Sequence, residues 1–160
     1  MSSSQTQNKW TLVLFLTALV MLFSFTGCAG KKAAEKTKAS QYHYKMAANY
    51  FAEQMAQQAI RELTLSIEAD PKNADALHLL GFIYLGRRNY VQAIDYMRKA
   101  AGAREEFYIC LNNLGTAYMA AGRWEEAVEI YEELIAKPMY NTPELAYNNL
   151  GWSYHKVGEH

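Results

Sequence analysis

Four histidines, two cysteines and a spread of carboxylates are the side chains here that could do chemistry near neutral pH. The histidines, His43, His78, His155 and His160, are scattered, and no HExxH, GxSxG or clustered ligand set accompanies them. Metal-assisted hydrolysis and nucleophilic acyl transfer therefore lack their residues, and the chain is expected to be no enzyme, with no metal and no cofactor. Cys110, beside Leu111, reads as a buried small apolar residue. Cys28 is different, because it closes an apolar run. Sixteen basic residues face sixteen acidic ones. A near-neutral chain without a basic stripe argues against nucleic acid as a partner.

The stretch before Cys28 resembles an export signal. A polar start ends at Lys9, and an apolar run from Leu12 to Phe25 follows, interrupted only by Thr17 and Ser24. At about 14 residues it is short for a membrane span, which needs about 20, and suits a signal-peptide core. It leads into Phe25-Thr26-Gly27-Cys28, which resembles the lipobox of bacterial lipoproteins, with Phe25 where that family prefers leucine. The resemblance implies cleavage before Cys28, which becomes the acylated first residue and a firm membrane anchor. An ordinary secretory signal, or an uncleaved anchor with an incidental cysteine, are the alternatives. Ala29, not aspartate, follows Cys28; by resemblance to the sorting pattern this favours the outer membrane, facing the periplasm, in a cell with two membranes. An acylated Cys28 also leaves Cys110 without a disulfide partner. The expected order is a signal peptide over 1–27, a lipid-anchored linker over 28–39 and a folded domain over 40–160. The lysine-rich linker reads as solvated, with headgroup contact as the alternative. Removing 1–27 takes away one lysine and leaves 15 basic against 16 acidic residues.

A recurring glycine organises the rest. Leu80-Gly81 and Leu114-Gly115 lie 34 positions apart, and Leu150-Gly151 follows after 36. Glycine inside a helix costs about 1 kcal/mol relative to alanine, so three in register call for a close approach to the backbone. Leu77, Leu80, Gly81 and Tyr84 sit at i, i+3, i+4 and i+7, one helical face; Ala93, Met97 and Ala100 line a partner helix. The same pattern fits 40–73, 74–107 and 108–141, with a partial unit over 144–160. This is the signature of tetratricopeptide repeats, helix-turn-helix units stacked into a solenoid. The fold is expected to be all-α, with Tyr84 and Tyr118 filling the space left by the glycines. Asn73 and Thr142 read as helix caps, the latter ahead of Pro143 and Glu144. The last helix carries Tyr147, Leu150, Trp152, Tyr154 and Val157, a face that expects a partner, so the chain reads as the front of a longer protein, with an end covered by another molecule as the alternative.

Resemblance to tetratricopeptide domains implies that the first helix of each unit lines a concave groove. The residues carried over are Tyr44, Phe51, His78, Phe82, Asn112, Met119, Asn148, Trp152 and His155. Apolar area supplies affinity, and an amide can donate to and accept from a peptide backbone. The expected partner is an apolar protein or peptide segment.

A lipobox feeding directly into such repeats resembles the type IV pilus biogenesis lipoproteins of the PilF/PilW kind. The most specific stretch is Thr142-Pro143-Glu144-Leu145-Ala146-Tyr147-Asn148-Asn149-Leu150-Gly151-Trp152-Ser153-Tyr154. The resemblance implies a pilotin, an outer-membrane lipoprotein that helps secretin subunits reach or assemble in that membrane. The alternative is another periplasmic scaffold of the same build, serving outer-membrane protein assembly or cell-wall enzymes.

Overall fold

The computed structural model describes residues 31–159. The apolar run and Cys28 lie outside the described residues, as does His160. The chain divides into two compact units, 1–38 and 39–160. In the first, residues 31–38 are helical and every one is exposed.

The second unit holds seven helices, with no strand among the described residues: α1 (residues 39–52), α2 (Ala56–Ala69), α3 (Ala74–Gly86), α4 (Tyr90–Ala103), α5 (Tyr108–Ala120), α6 (Trp124–Ile135) and α7 (Pro143–Gly158). From α2 onward each packs on the next, and α5 also touches α3 and α7. The first helices of successive units thus form one row. The apolar periodicity builds two clusters. Ala47, Ala59, Leu63, Ala76, Leu80 and Ile83 form the smaller one. The larger runs from Ala74 and Leu77 through Met97, Cys110, Leu114 and Tyr131 to Ala146.

Two of the three repeated glycines act as spacers. A Cβ on Gly81 would lie 2.8 Å from Met97 Cγ and 3.1 Å from the Ala93 carbonyl oxygen. A Cβ on Gly115 would lie 2.6 Å from Tyr131 Cζ. The fillers are thus Met97 and Tyr131 from the second helices, not Tyr84 and Tyr118. Tyr84 instead stacks on Tyr96 at 5.7 Å. Gly151 has nothing within 4 Å of a built Cβ, because among the described residues α7 has no second helix of its own unit against it.

The turns within units share a device invisible in residue type. Gln54, Arg88 and Gly122, each 34 positions apart, adopt φ of 61°, 59° and 72°. The next residue's N–H returns to a tyrosine carbonyl: Met55 to Tyr50 at 2.8 Å, Asn89 to Tyr84 at 2.9 Å and Arg123 to Tyr118 at 2.9 Å. This six-to-one closure with a left-handed residue satisfies carbonyls at each helix end.

Asn73 caps α3 through the Ala76 N–H at 3.1 Å. Thr142 makes no side-chain cap bond, and Pro143 and Glu144 alone mark the start of α7. Asn73 also joins a buried polar knot. Its Nδ2 donates to Ser40 Oγ at 2.8 Å, and Ser66 Oγ donates to the Ser40 carbonyl at 2.8 Å. Asp75 does more than complement the α3 dipole: it takes a paired bond from Arg104, at 2.8 and 2.5 Å.

Candidate protein-binding face

The row formed by α1, α3, α5 and α7 presents apolar side chains that its packing leaves open. Phe51 and Phe82 are 36% and 41% exposed and meet edge to face with centroids 6.0 Å apart. Such a pair contributes about 1 kcal/mol beyond its buried area. The outer faces of both rings remain available. On α5, Ile109 is 62% exposed; on α7, Trp152 is 51% exposed. The Lys156 ammonium lies 5.2 Å from the Trp152 ring centroid and the His155 ring 5.7 Å away. Asn148 is exposed beside them on α7.

The middle of the row is polar, and its groups engage one another except the buried Asn112 Oδ1, which has no hydrogen-bond partner among the described residues. His78 meets the Phe107 ring edgewise at 5.0 Å, and the Arg104 guanidinium covers that ring at 4.4 Å. Asn113 Nδ2 donates to His78 Nε2 at 2.9 Å. Burial holds the His78 pKa below its usual value, Arg104 adds to the effect and Asp75 opposes it. Neutral imidazole suits this site, because Nε2 must accept. Tyr44 is half-buried, and burial, helped by Asp75, pushes its phenol pKa up. Met119 is partly buried against the larger core cluster. The Asn112 carbonyl accepts from Thr116 Oγ1 at 3.0 Å.

The structure therefore brings Phe51 to Phe82 and Trp152 to His155, while His78 is engaged by Asn113 and Phe107. Asn113 and Phe107 escaped the sequence reading, since neither occupies a first-helix groove position of the repeat. Charge on this face is internally balanced. Both terminal nitrogens of Arg104 are taken by Asp75, and Lys156 pairs with Glu159. The face suits an apolar segment better than an acidic tail, whose carboxylates need unpaired cations. A cavity of about 620 Å³ opens between α4, α5 and α6; Arg104 and Phe107 reach its wall beside Arg98, Ile130 and Glu133, and none of the predicted groove residues lines it. Among the described residues no cluster of three or more His, Cys, Asp or Glu could hold a metal, and no helix is long and apolar enough to cross a membrane.

Comparison with known proteins decides the fold family. Two tetratricopeptide repeat models match, over residues 63–95 and 109–137. The chain carries tetratricopeptide repeats. Among curated relatives, a barley protein described as a probable UDP-N-acetylglucosamine–peptide N-acetylglucosaminyltransferase, SPINDLY, is 33% identical over 113 residues, 66% of this chain and 12% of that protein. The human Superkiller complex protein 3 is 30% identical over 88 residues, 55% of this chain and 6% of the relative. The chain thus spans only a small part of these curated relatives. Solved tetratricopeptide structures match more evenly. The first such domain of Spaghetti (RPAP3), bound to the HSP90 peptide SRMEEVD, superposes with a TM-score of 0.69 at 20% identity, covering 76% of this chain and 95% of that one. Pseudomonas aeruginosa PilF gives a TM-score of 0.66 at 23% identity, covering 78% and 56%. These likenesses show the tetratricopeptide fold.

Proposed function

We propose that this chain is a membrane-tethered, non-catalytic scaffold that holds an apolar protein segment along its first-helix face, and that it serves as a pilotin for a secretin. The observation that carries the reading is the exposed aromatic set, Phe51 against Phe82 with Trp152 further along. Buried aromatic anchors dominate protein interfaces, and these rings stay partly exposed. The HSP90 peptide SRMEEVD bound to the tetratricopeptide domain of Spaghetti supports peptide capture by this fold, though that peptide is acidic where the segment proposed here is apolar. The lipobox-like Phe25–Cys28 stretch supports the tether, and the PilF likeness is in keeping with the pilotin assignment. Acylated Cys28 would keep the solenoid in the outer membrane, facing the periplasm. Confining the partner to a thin layer raises its effective concentration without any new contact.

The test has two parts. Phe82→Ala combined with Trp152→Ala weakens capture of secretin by at least about tenfold while helicity stays intact. Loss of helicity instead assigns the rings to the core. Cys28→Ala leaves a folded, partner-binding protein that no longer localises secretin multimers. Normal multimers in the outer membrane of that mutant overturn the pilotin role.

A further inference from the structure

Residues 31–38 carry four lysines, Lys31, Lys32, Lys36 and Lys38, against the single Glu35. All are exposed on helical backbone, and none of the five forms an ion pair among the described residues. At about 100° per residue the lysines occupy one side of this helix, within an arc of about 160°. The other side holds Ala33, Ala34 and Thr37, whose hydroxyl donates to the Ala33 carbonyl at 3.2 Å. That side is too small and too polar to insert into acyl chains. Any surface this segment recognises is recognised by charge.

Charge is also segregated along the chain. Residues 1–38 hold five of the 16 basic and one of the 16 acidic residues, which leaves 11 basic against 15 acidic for residues 39–160. The basic segment begins three residues after Cys28. The acidic remainder is repelled by a negative surface, so attraction concentrates in one place.

We propose that residues 31–38 form a polybasic contact with anionic phospholipid headgroups, through Lys31, Lys32, Lys36 and Lys38. This rests on the tether reading above, which brings the segment within reach of the bilayer. Each lysine near such a surface strengthens the contact by about fivefold, and salt screens the attraction.

The full chain is floated with vesicles of phosphatidylcholine alone or with about one third phosphatidylglycerol, then treated with a lysine-specific protease; added salt is raised to about 0.5 M, where screening reaches a few Å. Cleavage within 31–38 is measured relative to Lys72, in the exposed turn before α3. The chain floats with both vesicles, and relative cleavage on anionic ones is at least about tenfold slower. Salt restores it, and Lys32→Gln with Lys36→Gln reduces the protection at Lys31 and Lys38. Flotation with both vesicles but equal relative cleavage overturns the headgroup contact and leaves the tether standing. Flotation with neither overturns both.

Discussion

Tyr131 occupies the space that a side chain at position 115 would need. A Cβ on Gly115 would meet the Tyr131 ring at 2.6 to 3.0 Å. The ring cannot withdraw cheaply. It is fully buried, and its hydroxyl takes a bond from Asn149 Nδ2 at 3.0 Å while lying 3.1 Å from Thr116 Oγ1. Gly115→Ala is therefore expected to destabilise by about 1–3 kcal/mol. Gly151→Ala meets nothing and should instead stabilise α7 by up to about 1 kcal/mol. Urea unfolding of both variants checks the contrast; equal shifts would refute the spacer role.

The left-handed turn residues separate just as sharply. Arg88 holds a φ of 59° that side chains disfavour, at a cost of about 1 kcal/mol or more. Arg88→Gly should raise stability by about 1 kcal/mol, and Gly122→Ala should lower it by a similar amount. Denaturation midpoints measure both. A destabilised Arg88→Gly variant would mean that flexibility gained by the unfolded chain outweighs the relieved turn.

Acid should loosen the centre of the first-helix row. Burial depresses the His78 pKa, so the unfolded chain binds the proton more readily. The associated stability is fully present above about pH 6.5 and is lost as pH falls below it. Between about pH 7.5 and 5.5 the melting temperature of the parent should decline more steeply than that of His78→Gln. Parallel curves would show that His78 titrates alike in both states.

Cys110 should be inert in the folded protein. Its thiol is fully buried, its Sγ donates to the Met97 carbonyl at 3.3 Å, and burial pushes its pKa up to about 12. The thiolate is the reactive form. Alkylation at about pH 8, read on the peptide containing Cys110, should proceed only as fast as the chain opens. Modification at the rate of a free thiol would show local access.

The fold was readable because period, glycine and paired apolar stripes agree over several units. The same periodicity conceals what differs between units. Ser66 stands where the later units place Ala100 and Leu134, and only the structure shows that Ser40 and Asn73 satisfy it. Gly151 matches Gly81 and Gly115 in sequence, yet a spacer needs a second helix of its own unit against it, and among the described residues nothing lies within 4 Å of a Cβ there. Gln54 and Arg88 give no hint of a left-handed backbone; position, not residue type, imposes it. For the candidate face, the shared side of Phe51 and Phe82 follows from register alone. The engagement of His78 by Asn113 does not, because periodicity says which side of a helix a residue occupies and not which neighbour it reaches.

The uneven size of the two apolar clusters has a mechanical consequence. Six buried side chains hold the front of the solenoid, against sixteen in the larger cluster. In a linear array each link answers mainly to its neighbours. Heat or a pull applied at the leading end should therefore peel α1 and α2 away first, with the rearward helices still folded behind them.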